Sequence, residues 1–233
     1  MAQFPYQLTE SPLPAMGLIV LQVDETIEQD FRRAIAPDAA QLYVTRVPSG
    51  EELTPETIAG MEAQLSAAAA LLPPAVEFDV IGYACTSGTA QIGADRVRDL
   101  VTTGARAAHV TNPLTAALAA FEDRDLQRIG IVSPYVDAVA DSLRSAVQSH
   151  GVQVPDMLSF GEEVEARVAR IDPRSIIEGA RSLAARAEME AIFLSCTNLQ
   201  TYDILDTIED ELGLPVFSSN QVLSWHMKRL AGM

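Results

Sequence analysis

Short apolar runs recur along the chain, and each is followed by a longer stretch whose hydrophobic positions fall at helical spacing. Residues 16–21 read as a buried strand, and Asp24-Glu25-Thr26 supplies an N-cap for a helix over 25–35. A second strand is expected at 41–47, and Thr54-Pro55 opens an alanine-rich helix reaching about Leu72. The third strand, 78–84, ends at Cys85; a helix over 90–103, a short strand over 107–110 and a helix opened by Asn112-Pro113 complete the first half.

The second half repeats this alternation, with strands at 128–134, 152–160, 191–195 and 214–217. Helices are expected at 135–149, from Asp172-Pro173 to about Glu188, and at 220–230, while Gly161 opens an acidic loop or short helix. Alternating short strands and helices indicate an α/β fold with parallel sheets covered on both faces. Gly17 precedes Cys85 by nearly the same interval as Gly130 precedes Cys196, which points to a duplicated unit with a pseudo-twofold axis. The resulting division is an N-terminal arm (1–15), a first lobe (16–125) and a second lobe (126–233) whose last helix is free to pack back on the first.

Two stretches share an unusual ending. Phe78 to Ala84 stops at Cys85-Thr86-Ser87-Gly88, and Ala191 to Ser195 stops at Cys196-Thr197-Asn198; these are the only two cysteines. Each junction reads as a strand, a turn and a helix N-terminus, where unpaired N–H groups and the helix dipole favour thiolate. A free cysteine is more often a small buried hydrophobe, but two at the same point of a repeated pattern favour function. Ligands of open parallel sheets bind beyond the carboxyl ends of the strands, so two facing lobes would set Cys85 and Cys196 on opposite sides of one cleft.

Two opposed thiols need no cofactor to do chemistry on a small carboxylate. One as thiolate base and the other as thiol acid move a proton between the faces of a carbon. Alternatively, one adds to a double bond, the adduct rotates, and elimination returns the other geometric isomer. Both routes place charge on the substrate carboxylate, which the N–H and hydroxyl groups of Thr86, Ser87, Thr197 and Asn198 are placed to stabilise.

The composition of this 233-residue chain narrows the partners. A formal charge of −16 and a pI near 4.4 oppose nucleic acid or an anionic membrane. No apolar run approaches the roughly 20 residues that span a bilayer, and the N-terminus lacks a signal-peptide pattern, so a cytoplasmic protein with free thiols is expected. The three histidines, His109, His150 and His226, make no metal-ligand spacing with the cysteines.

The segments Gly17-Leu18-Ile19-Val20, Cys85-Thr86-Ser87-Gly88, Ile131-Val132-Ser133-Pro134-Tyr135 and Cys196-Thr197-Asn198 resemble the aspartate/glutamate racemase superfamily, in its maleate cis-trans isomerase and arylmalonate decarboxylase branch. The resemblance covers almost the whole chain. It implies two Rossmann-like lobes, cofactor-free chemistry between them, and frequent dimers. It also implies that Cys85 is the nucleophile, Cys196 the second acid/base, and Tyr135 a contact for the substrate carboxylate. Decarboxylases of this branch keep only the second cysteine, so the presence of both favours an isomerase or racemase.

The chain departs from the pattern at two places. Asp24 stands where maleate isomerases carry a carboxylate-binding asparagine, and a second such asparagine falls near Glu163. Two acids there disfavour a dicarboxylate and suit an ammonium or amide group, hence an amino-acid derivative. Other readings are a maleate isomerase proper, a decarboxylase using Cys196 alone, and a small-ligand binding protein without turnover.

Overall fold

In the computed structural model, which describes residues 3–9 and 13–233, the apolar runs form eight parallel strands in two sheets. The first half contains β1 (Ala15–Leu21), α1 (Ile27–Ala34), β2 (Gln41–Val47), α2 (Pro55–Ala69), β3 (Phe78–Ala84), α3 (Thr86–Ile92), α4 (Ala94–Gly104), β4 (Ala107–Thr111) and α5 (Pro113–Asp123). The second contains β5 (Ile129–Ser133), α6 (Asp137–Ser149), β6 (Met157–Ser159), α7 (Glu165–Val168), α8 (Pro173–Ala184), β7 (Ala191–Leu194), α9 (Leu205–Leu212), β8 (Val216–Ser218) and α10 (Ser219–Leu230). Residues 3–9 of the expected arm carry no regular structure; residues 1, 2 and 10–12 lie outside the described set.

The sheet orders are β2-β1-β3-β4 and β6-β5-β7-β8, so each half repeats the same topology. Both cysteines therefore follow the third strand of their half, beyond a strand flanked on each side. Alternation along β1 divides its side chains between two cores, as the period of two requires. Met16, Leu18 and Val20 pack with Phe31 of α1 and with Leu223 and Met227 of α10, while Ile19 and Leu21 join a larger cluster. That cluster continues into the second sheet through Val132, Ile192 and Leu194 and contains both cysteines. Each such buried side chain contributes roughly 1.5–3 kcal/mol.

The last helix of each half crosses to the other sheet. α5 lays Ala116, Ala117, Ala120 and Phe121 against Ile129, Ala191 and Phe193, as α10 does against β1 and β3. This exchange brings Ser219, at the start of α10, between the two cysteine turns.

Three elements differ from the sequence reading. The single helix over 90–103 is two, α3 and α4, because Gly93 takes φ 93°, open to glycine and costly for other residues. The strand over 152–160 shrinks to β6, since Pro155 has no N–H to continue the ladder. α9 was not expected: Leu205 and Ile208 are its only buried residues, among four acidic ones, so its apolar stripe is too short to register as periodicity.

Candidate active site

Cys85 caps α3. Its backbone leaves β3 in an extended conformation, its Sγ accepts the Gly88 N–H at 3.2 Å, and Ser87 Oγ lies 3.8 Å away. Cys196 follows Ser195 at the end of β7, and its Sγ accepts the Asn198 N–H at 3.2 Å. The turn after it does not enter a helix until Leu205, so the helix-dipole argument holds for Cys85 and not for Cys196. Cys196 has φ 156°, an uncommon value for a side-chain-bearing residue. Its N–H is fixed by Ser219 Oγ at 3.0 Å.

A buried polar network joins the two turns. Ser219 Oγ also lies 2.8 Å from Thr86 Oγ1, and Thr197 Oγ1 donates to the Ala84 carbonyl at 3.3 Å. Tyr135 hydroxyl sits 2.9 Å from Cys196 Sγ and donates to Glu165 Oε1 at 2.8 Å. Asn198 Nδ2 donates to Glu165 Oε2 at 2.8 Å, and Asn198 Oδ1 accepts the Glu25 N–H at 2.8 Å. Asp24 Oδ1 caps α1 by accepting the Thr26 and Ile27 N–H groups at 2.8 and 2.9 Å, while its Oδ2 is buried without a hydrogen-bond partner.

A backbone strap closes this network from outside. Glu165 N–H donates to the Glu51 carbonyl at 2.9 Å and Leu53 N–H to the Glu163 carbonyl at 3.1 Å, a short antiparallel contact between the halves. Beneath it Cys85 and Cys196 are 2% and 3% exposed, Asp24 3% and Glu165 1%.

Burial dominates the electrostatics. It pushes the Cys85 thiol up to about 11, against smaller lowering contributions from Gly88 N–H and Ser87, with Glu165 adding a raising influence. It pushes Cys196 well above the ordinary thiol range, and Glu165 adds repulsion there too. The expectation of favoured thiolates is thus overturned for this closed state, because desolvation outweighs the backbone N–H groups. Burial also raises the Asp24 and Glu165 carboxyls, and Asp24 pushes Glu165 further up. Tyr135 rises for the same reason, with both cysteines and Glu165 contributing. Glu165 thus lies within electrostatic reach of both thiols. Among the described residues no three His, Cys, Asp or Glu side chains gather as a metal-ligand set.

Comparison with known proteins places this geometry. The family model described as arylmalonate decarboxylase matches residues 34–233. The chain belongs to the arylmalonate decarboxylase family. It is 24% identical to maleate isomerase of Nocardia farcinica over 88% of this chain and 84% of that one. It is 28% identical to arylmalonate decarboxylase of Bordetella bronchiseptica over 52% and 51% of the two chains. Its fold matches that of a cysteine-to-serine variant of the Nocardia farcinica maleate cis-trans isomerase holding a covalently bound succinylcysteine intermediate, with a TM-score of 0.85, 22% identity, and coverage of 95% and 94%. A liganded arylmalonate decarboxylase carrying glycine-to-cysteine and cysteine-to-serine replacements matches with a TM-score of 0.81 at 24% identity, over 94% and 93% of the two chains.

Within this family fold, Asp24, Cys85, Thr86, Ser87, Tyr135, Cys196, Thr197 and Asn198 are all buried around the two turns. Glu163 is not among them: its side chain is exposed, and Glu165, two residues on, occupies the interior. The run Glu162-Glu163-Val164-Glu165 offers no sequence signal separating the three acids; Glu165 is the one at the start of α7, held inside by Tyr135 and Asn198. Ser219 was also missed, because its hydroxyl reaches the site only through the crossing of α10. Thr86 and Asn198 are already engaged by Ser219 and Glu165, so their side chains organise the turns in this closed state.

Proposed function

We propose that this protein is a cofactor-independent isomerase in which two cysteines act on a small carboxylate, with an amino-acid derivative as the favoured substrate class. The observation that carries the reading is the equivalent placement of Cys85 and Cys196, after the third strand of each repeated sheet and within reach of one shared carboxylate, Glu165. With the substrate between them, one thiolate removes a proton from one face of the reacting carbon and the other thiol delivers one to the opposite face. Addition of one thiolate to a double bond, rotation and elimination is the cis-trans variant of the same site. The Gly88 and Asn198 N–H groups, which hold the sulfurs, show where each turn offers donors for developing negative charge.

The unpartnered Asp24 Oδ2 supports the substrate class. Among the described residues its one neighbouring hydroxyl, Thr197, turns its hydrogen to the Ala84 carbonyl, so this buried carboxylate oxygen suits a ligand ammonium or amide and opposes a second carboxylate. The reading includes a reducing cytoplasmic setting, which keeps two free thiols available, and a homodimer.

Proton NMR in D2O tests it, with wild type, Cys85→Ala and Cys196→Ala offered N-acylated amino acids, free amino acids and maleate. Deuterium entering a substrate α-carbon, and lost in both variants, is the expected result. Maleate converted to fumarate with no exchange elsewhere would replace it by the cis-trans reading.

Decarboxylation is the second reading, favoured by one asymmetry: the Tyr135 hydroxyl holds Cys196 Sγ at 2.9 Å and ties it to Glu165, whereas the hydroxyls beside Cys85, Ser87 at 3.8 Å and Tyr83, are not hydrogen-bonded to a carboxylate among the described residues. Carbon dioxide release surviving in Cys85→Ala and absent in Cys196→Ala would establish it.

A further inference from the structure

Tyr135 is a bridge with a fixed direction. A carboxylate only accepts, so the Tyr135 hydroxyl gives its single hydrogen to Glu165 Oε1 at 2.8 Å, and its oxygen is left to accept from the Cys196 thiol at 2.9 Å. The far end is equally fixed. Asn198 Nδ2 holds Glu165 Oε2 at 2.8 Å and the Glu165 carbonyl at 3.1 Å, and the Glu25 N–H fixes Asn198 Oδ1 so that its amide cannot turn over. Cys85 has no such chain to a carboxylate: its sulfur meets the Gly88 N–H, the Ser87 hydroxyl and the Tyr83 hydroxyl, and Tyr83 leads on only to Met61 Sδ.

We infer that Glu165 takes the Cys196 proton through Tyr135, making it a positioning residue that creates the Cys196 thiolate inside the closed site. The thiol hydrogen passes to the Tyr135 oxygen as the Tyr135 hydroxyl hydrogen passes to Glu165 Oε1. The S–H bond and the tyrosine O–H bond break, a new tyrosine O–H and a carboxyl O–H form, and the products are thiolate, intact tyrosine and neutral carboxylic acid. The site keeps the same net charge, so no additional ion is created away from water. A direct ionisation of Cys196 would place a second negative charge beside Glu165. Asp24 and Cys85 are the other titratable groups in reach, and neither is hydrogen-bonded to Tyr135 or to the Glu165 side chain. The pair of Cys196 and Glu165 then titrates as one unit sharing a proton, not as two independent acids.

The inference rests on Cys196 acting as a base in the proposed reaction, but its test needs no turnover. The full-length protein is treated with iodoacetamide at neutral pH, and alkylation of Cys196 and Cys85 is followed separately by peptide mass spectrometry. Cys85 in the same molecule serves as an internal measure of how often the site opens. Relative to Cys85, Cys196 alkylation is expected to fall about tenfold or more in Glu165→Gln and in Tyr135→Phe, as thiolate is lost. A Glu165→Gln protein whose Cys196 reacts as fast or faster overturns the relay, because that is what removing a merely repelling carboxylate produces. Should Glu165→Gln not fold, Glu165→Asp makes the same decision: it keeps the charge but withdraws the oxygen from Tyr135, so slow alkylation supports the relay and an unchanged rate overturns it. Failure of the two-cysteine reading is seen separately, in the deuterium exchange of Cys85→Ala and Cys196→Ala.

Discussion

Ser219 Oγ lies 2.8 Å from Thr86 Oγ1 although 133 residues separate them, and the same oxygen accepts the Cys196 N–H at 3.0 Å. One hydroxyl on the last helix therefore sets the spacing of the two cysteine turns. The crossing of α10 onto the first sheet makes this contact, so the packing of Leu223 and Met227 against Met16 and Leu18 also positions the chemistry.

Ser219→Ala leaves the Cys196 N–H and the Thr86 hydroxyl buried without this partner. A loss of about 2 kcal/mol is expected from urea unfolding, since a buried group deprived of its hydrogen bond costs roughly 1–3 kcal/mol. Turnover should fall in kcat more than in KM, because the turns carry the reacting sulfurs. A variant as active as wild type at equal loss of stability would show that Ser219 only holds the fold.

Gly88 approaches the first sulfur too closely for any side chain. A Cβ there would stand 2.8 Å from both Cys85 Sγ and Tyr83 Oη, and Gly88 also donates the hydrogen bond to that sulfur. Gly88→Ala is expected to displace the thiol, lowering stability by about 1–3 kcal/mol and abolishing reactions that need Cys85. Reactions needing Cys196 alone would survive, so comparing exchange with carbon dioxide release reads which cysteine the chemistry requires.

The frame was legible in the sequence because it rests on local signals. Alternating strands, Pro55, Pro113 and Pro173 at helix starts, and the paired Cys-Thr endings all follow from residue type and spacing. Glu165, Ser219 and the raised thiols were not legible, since each depends on contacts between segments far apart in the chain. Which of Glu162, Glu163 and Glu165 turns inward is decided by the contacts Glu165 makes with Tyr135 and Asn198, and burial of Cys85 and Cys196 by closure of the two halves over them.

Asp24 and Glu165 are both buried, and burial raises both carboxyls. A raised acid contributes stability below its unfolded pKa and loses it as pH rises through the folded value, so ionised Asp24 is a cost at neutral pH. Asp24→Asn keeps the oxygen that accepts from Thr26 and Ile27 and removes the charge; a gain of about 1–2 kcal/mol at pH 7 is expected, shrinking below about pH 4. The resemblance to maleate isomerases places asparagine at this position, so Asp24→Asn should gain turnover of maleate and lose it on amine-bearing substrates. NMR with both substrate classes checks the exchange of preference.

Cys85 links the closed state to alkaline pH. Its thiol stands at about 11 against an ordinary 9.0, so the folded protein holds the proton more tightly than the unfolded chain. That preference is fully present below about pH 9 and is lost as pH rises toward about 11, a window equivalent to roughly 3 kcal/mol. Other groups also titrate there, so the informative quantity is wild type minus Cys85→Ala, measured by urea unfolding at neutral pH and at about pH 9 and pH 10. The difference should hold steady up to about pH 9 and then fall by about 1 kcal/mol over the next unit. A difference independent of pH would mean that water reaches the thiol and that the strap over the site is open in solution. The same opening would make Cys85 an ordinary target for alkylation, whereas a closed site protects it until the halves part.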